Sequence, residues 1–152
     1  KGGISYHDKK TNLIIHGGID DLWLDLKNNK LVVVDYKAQS SNYSVSSNSY
    51  LNSKWHLSYK LQMDIYVHIL KKMNFEVSEI SYFYVCNGEK TNKRFDNKMD
   101  FKTTLIPYQV DTSWIESKLI EMKEVLNQDI PPDINSSCEK CAYLKGGKDF
   151  FK

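Results

Sequence analysis

The sequence predicts an α/β fold in which a mixed central β-sheet is flanked by helices on both faces. Three observations predict it. Apolar and β-branched runs at 13–26 and 31–37 suit buried strands. Apolar residues recur every four positions between residues 55 and 73, as on an amphipathic helix. The element order β-β-α-β-β-α mixes the two types along the chain instead of segregating them. At 152 residues, with 41% hydrophobic and 12% aromatic content, the chain has apolar surface for one sizeable core. A single domain over 1–152 is the expectation.

Residues 13–26, LIIHGGIDDLWLDL, are apolar on both alternating faces and read as one long strand with Gly17 and Gly18 as a bend or bulge. The turn LKNNKL, with Asn28 and Asn29 central, leads into a second strand, LVVVDYK, at 31–37. Residues 38–54 are dominated by Ser and Asn without a period and read as a mobile loop. Leu57, Leu61, Ile65 and Ile69 then mark the helix. A third strand, EISYFYVC, follows at 79–86, and the polar residues 87–100 form a loop. The fourth strand is FKTTLIPYQV at 101–110, where Pro107 suits a sheet edge. Asp111-Thr-Ser opens the last helix, with Trp114, Ile115, Leu119, Met122 and Leu126 on one broad face, and Pro131 and Pro132 end it.

No apolar run approaches the length of a transmembrane helix, and no secretory signal pattern opens the sequence. Cys86, Cys138 and Cys141 are an odd number and suit a reducing compartment, so a soluble cytoplasmic protein is expected. A net charge of +2 and a pI near 8.3 permit nucleic-acid binding without demanding it. Arg94 is the only arginine, inside the run TNKRF at 91–95; such a run is usually a solvated loop, with phosphate contact as the alternative. His16, His56 and His68 show no metal-type spacing, and His7 lies in a polar terminus.

Chemistry concentrates around Asp35-Tyr36-Lys37. Side chains alternate along a strand, so Asp35 and Lys37 share one face. With Asn28 and Asn29 at the turn centre, Asp20 faces Lys37 and lies diagonal to Asp35, while Asp21 faces Tyr36 on the other side. A one-residue bulge would exchange Asp20 and Asp21. Two carboxylates and a lysine on one face are what cation-assisted phosphate ester cleavage requires. On those three residues alone, a structural Asp–Lys ion pair at a strand end is the commoner reading.

GGIDDLWLD, then LVVVDYK, then Gln62-Met-Asp-Ile-Tyr66 resemble, in order and spacing, the motifs of the RecB-like branch of the PD-(D/E)xK nucleases. The resemblance spans 13–70 and implies a restriction-endonuclease-like core. It implies a deoxyribonuclease, of the kind used in DNA repair, that hydrolyses phosphodiester bonds in DNA with Mg²⁺ or Mn²⁺. It makes Asp20 and Asp35 metal ligands, adds the Tyr36 carbonyl as a third, and makes Lys37 the catalytic lysine. Gln62 and Tyr66, one helical turn apart, would contact substrate or support the site.

The family usually has a helix before its first strand, often with a further acidic or histidine ligand. Only some twelve residues precede Leu13, and His7 is the one candidate stand-in. Some members end in an iron–sulfur cluster held by four thiolates. Cys138 and Cys141 lie where it would sit, but the sequence has only three cysteines, so plain thiols are expected and zinc is the next reading. The rival function is a catalytically silent copy of the fold, binding nucleic acid or acting as a scaffold. Nothing in the sequence speaks to exo- or endonuclease action, strand preference or oligomeric state.

Overall fold

The computed structural model describes residues 3–90, 97–135 and 137–150. The basic run at 91–95 lies outside the described residues. The elements are β1 (Ile4–Asp8), β2 (Leu13–Gly17), β3 (Asp21–Asp25), β4 (Lys30–Gln39), α1 (Ser47–Leu51), α2 (Leu57–Lys72), β5 (Ile80–Gly88), β6 (Phe101–Gln109), α3 (Ile115–Leu126) and α4 (Glu139–Phe150). A turn of 3₁₀ helix, Lys54–His56, leads into α2.

A four-stranded mixed sheet runs in the order β3-β4-β5-β6, with β4 and β5 parallel and the outer pairs antiparallel. Parallel neighbours need a long crossover, and α1 and α2 supply it. Pro107 lies in β6, at the sheet edge as its missing N–H requires. The predicted long strand at 13–26 is in fact two. Its first half, β2, pairs with β1 in a separate hairpin, and its second half, β3, enters the main sheet. Alternation alone cannot reveal a change of partner, and β1 itself occupies residues with no extended apolar run.

The core lies between the sheet and α2. Val33 on β4, Phe83 and Val85 on β5 and Ile106 on β6 face Met63, Tyr66, Val67 and Leu70. These helix positions follow the i, i+3, i+4, i+7 stripe. The four-residue row read from the sequence is different: Leu57 and Leu61 are exposed and only Ile69 is fully buried. A step of four advances about 40° around a helix, so such a row walks off the buried face. Residues 66 to 70 are buried all round, because the β1–β2 hairpin covers the side of α2 away from the sheet; Tyr6 packs edge-on against His68.

On the opposite sheet face, aromatic rings pack against one another. Trp23 stacks on Tyr82, and Tyr36 meets Tyr84 edge-to-face. Val34 is fully buried beneath them while Trp23 and Tyr36 stay partly exposed. Asp64 ties α2 to the start of α3. Its Oδ1 accepts hydrogen bonds from the Tyr108 hydroxyl (3.0 Å) and the Asp111 N–H (3.0 Å), and its Oδ2 accepts one from Trp114 Nε1 (3.1 Å). No helix among the described residues is long and apolar enough to cross a membrane.

Candidate active site

The β3–β4 hairpin sets the geometry. Asp25 pairs with Lys30, so residues 26–29 form the turn; its centre lies one residue earlier than predicted and the pairing is two residues out of step. Asp25 causes this: its carboxylate accepts the Lys27 N–H (3.0 Å) and the Asn28 side-chain amide (2.6 Å), and Asn29 takes the left-handed conformation. Leu22 therefore faces Val33, and one step beyond β3 Asp20 comes level with Asp35 rather than with Lys37 as predicted. A slip of two preserves the alternation. Asp20 thus stays on the face of Asp35, and Asp21 on the other, where it accepts hydrogen bonds from the Tyr36 hydroxyl (2.6 Å) and Trp23 Nε1 (2.9 Å). Those bonds, Tyr36 first, hold the Asp21 carboxyl below its ordinary value.

Asp35 lies in the floor, only 3% exposed, and Asp20 stands exposed at the rim. β3 pairing ends at Val34, and beyond it the Asp20 carboxylate accepts the Tyr36 N–H (2.9 Å) in place of a strand partner. Burial pushes the Asp35 carboxyl above its ordinary 3.8; Lys37 opposes this and the nearby Asp20 charge adds to it. The Lys37 ammonium forms an ion pair with Asp35 Oδ2. That ammonium is the counter-charge of a carboxylate oxygen buried in the floor of the site. Such an oxygen is suited to a hard cation.

Lys37 is held from two further sides. It donates to Gln62 Oε1 (3.4 Å), and its ammonium sits 4.6 Å from the Tyr59 ring centroid. Gln62 donates in turn to the Tyr66 hydroxyl (2.6 Å). Asp35, Lys37, Gln62 and Tyr66 therefore form one connected series. Among the described residues, no three His, Cys, Asp or Glu side chains gather to hold a metal ion. His7 bonds instead to Asn12 (2.9 Å) on the β1–β2 hairpin.

A family model for the PD-(D/E)XK nuclease superfamily matches residues 4–145. The chain belongs to the PD-(D/E)XK nuclease superfamily. Its members are generally nucleases that use divalent metals and act on nucleic acid. No curated protein matches the chain.

In this superfamily member, the segment read as a loop contributes to the site's wall. α1 is closed at its start by a reciprocal cap between Ser46 and Ser49, a local signal with no apolar period. It places Tyr50 in the core, tilted against His56 with ring centroids 4.0 Å apart, and His56 stacks on Tyr59. The Tyr50 hydroxyl is buried without a partner; burial first, then the Tyr59 and Asp35 charges, push its pKa up. Sequence reading missed Tyr50 and Tyr59 and treated His56 as ordinary.

Cys138 and Cys141 sit at the start of α4, where the Cys141 N–H donates to Cys138 Sγ (3.3 Å). The facing Cys141 thiol, then this N–H, lower the Cys138 pKa, while the facing Cys138 thiol, then burial, raise that of Cys141. Cys86 is on β5, and all three are free thiols.

Gly17 serves a close approach rather than a bulge. A Cβ there would stand 2.4 Å from Tyr66 Cε1. Gly17→Ala must displace the ring that accepts from Gln62, at a cost of about 1–3 kcal/mol. A lowered melting temperature by circular dichroism is the expected result, and an unchanged one contradicts the packing described.

Proposed function

We propose that this protein is a RecB-like deoxyribonuclease that hydrolyses phosphodiester bonds in DNA with Mg²⁺ or Mn²⁺, from a single domain. The observation that carries the reading is the buried Asp35 carboxylate, paired with Lys37 and level with Asp20 on one face of the sheet. Asp20, Asp35 and the Tyr36 carbonyl would hold the cation. One residue's N–H and C=O leave a strand on the same side. Since the Tyr36 N–H meets Asp20, the carbonyl belongs to the edge that β3 has left.

A divalent cation bound there would supply an acidified water and offset charge on the phosphate. Lys37 brings a fixed positive charge towards the phosphate oxygens as negative charge builds on them. Gln62 and the Tyr59 ring position that ammonium, and Tyr66 positions Gln62. Burial keeps water from screening the Asp35–Lys37 pair.

End-labelled DNA, single-stranded and duplex, incubated with Mn²⁺ or Mg²⁺ is expected to be cut by the wild type. Chelator and Asp35→Ala should each abolish the cutting. DNA binding with no cleavage by the wild type would instead make the chain a nucleic-acid-binding module on a nuclease fold.

A further inference from the structure

Beyond Lys37, β4 continues to Gln39, two residues on and therefore on the same face, about 7 Å along the strand. Gln39 is also part of the wall of a groove of about 440 Å³ formed with the segment from Ser41 to His56. The groove thus adjoins the candidate active site along one row of side chains. Tyr50 connects them a second way. It lines the groove, and its hydroxyl lies close enough to Asp35 to feel that charge.

The chemistry of the lining is specific. It contains no carboxylate, lysine or arginine, so it is built neither for a cation nor for a phosphate. It combines hydroxyl and amide groups, such as Ser49 and Gln39, with the rings of Tyr43, Trp55 and His56. Tyr43 is 84% and Trp55 87% exposed. Neither ring contributes to the core, and leaving two such faces in water forgoes the stabilisation their burial would give. A flat, neutral heteroaromatic group with donors and acceptors on its edge matches both features.

We propose that this groove seats an unpaired nucleobase of the strand being cut, with Tyr43 and Trp55 as its stacking surfaces. The proposal rests on the nuclease reading and adds a substrate class to it: single-stranded DNA or an unpaired end. In a duplex each base is covered by its neighbours, so only an unpaired base can offer its face to these rings. A base held here belongs to a nucleotide adjoining the phosphate at Lys37. Base–aromatic stacking tolerates any sequence, so the groove gives strand preference without sequence specificity.

The test is fluorescence anisotropy in EDTA, which stops cleavage, using labelled dT₁₂ and a blunt hairpin duplex as probes. Trp55→Ala and Tyr43→Ala are each expected to weaken dT₁₂ binding on the order of tenfold and leave duplex binding unchanged. Trp55→Phe should retain most of the affinity. Both rings are exposed, so all three variants should melt as the wild type does. Binding of dT₁₂ by both alanine variants at wild-type affinity overturns the proposal, as does an equal loss for dT₁₂ and duplex. Cleavage in Mn²⁺ is read separately. Trp55-dependent dT₁₂ binding in a wild type that cuts nothing would retire the nuclease reading and leave the groove standing.

Discussion

Lys37→Met is expected to slow DNA cleavage on the order of a hundredfold, while the protein stays folded and still binds Mn²⁺ and DNA. The lysine lies between Asp35, Gln62 and the Tyr59 face, all of which fix its ammonium. Methionine keeps an unbranched apolar stem and deletes the charge. A residue of merely structural worth would show its loss in melting temperature and metal affinity; one that stabilises developing phosphate charge shows it in turnover. Single-turnover cleavage of an end-labelled substrate separates the two. Undiminished cleavage by the variant, in a preparation free of contaminating nuclease, removes Lys37 from the mechanism.

The second large effect is on stability, at Asp64. Three donors converge on this one buried carboxylate, and they come from the end of β6 and the start of α3. Asp64→Ala strands all three and is expected to cost on the order of 3 kcal/mol, a large share of a domain's usual 5–15 kcal/mol. Asp64→Asn keeps the bonds to Tyr108 and Asp111 but sets an amide N–H₂ against Trp114 Nε1, so its loss should be smaller and visible in Trp114 emission. Burial outweighs the three hydrogen bonds and raises the Asp64 carboxyl above 3.8 in the folded chain. The folded state therefore holds this proton to higher pH than the unfolded state. Its contribution to stability is fully present below 3.8 and declines as pH rises through the folded value. The wild type's advantage over Asp64→Asn should shrink over that window in urea titrations, and a growing advantage would reverse the sign.

Legibility in the sequence followed the kind of force involved. β4 was readable because a β-branched run broken by Asp35 and Lys37 has no other comfortable conformation. The placement of Asp20, and not Asp21, on the face of Asp35 and Lys37 depended only on alternation, so a pairing shifted by two residues leaves it unchanged. Partner choice was not readable: nothing in LIIHGGIDDLWLDL marks where the chain leaves one sheet for another. α1 and its Tyr50 were hidden because hydroxyl-to-backbone bonds, not apolar spacing, organise that segment. α4 was missed for a similar reason, since its Tyr143 and Leu144 are exposed and give no buried stripe. Gln62 and Tyr66 were identified by resemblance alone, and their hydrogen bonds to each other and to Lys37 give that spacing a physical reason.

The central claim is that Asp20 and Asp35 together hold a divalent cation, and calorimetric titration with Mn²⁺ tests it most directly. The wild type is expected to bind; Asp20→Ala and Asp35→Ala should lose the heat of binding. Asp21→Ala should keep it, because Tyr36 and Trp23 already occupy that carboxylate on the other face of the sheet. Equal Mn²⁺ binding by the wild type and Asp35→Ala would contradict the account.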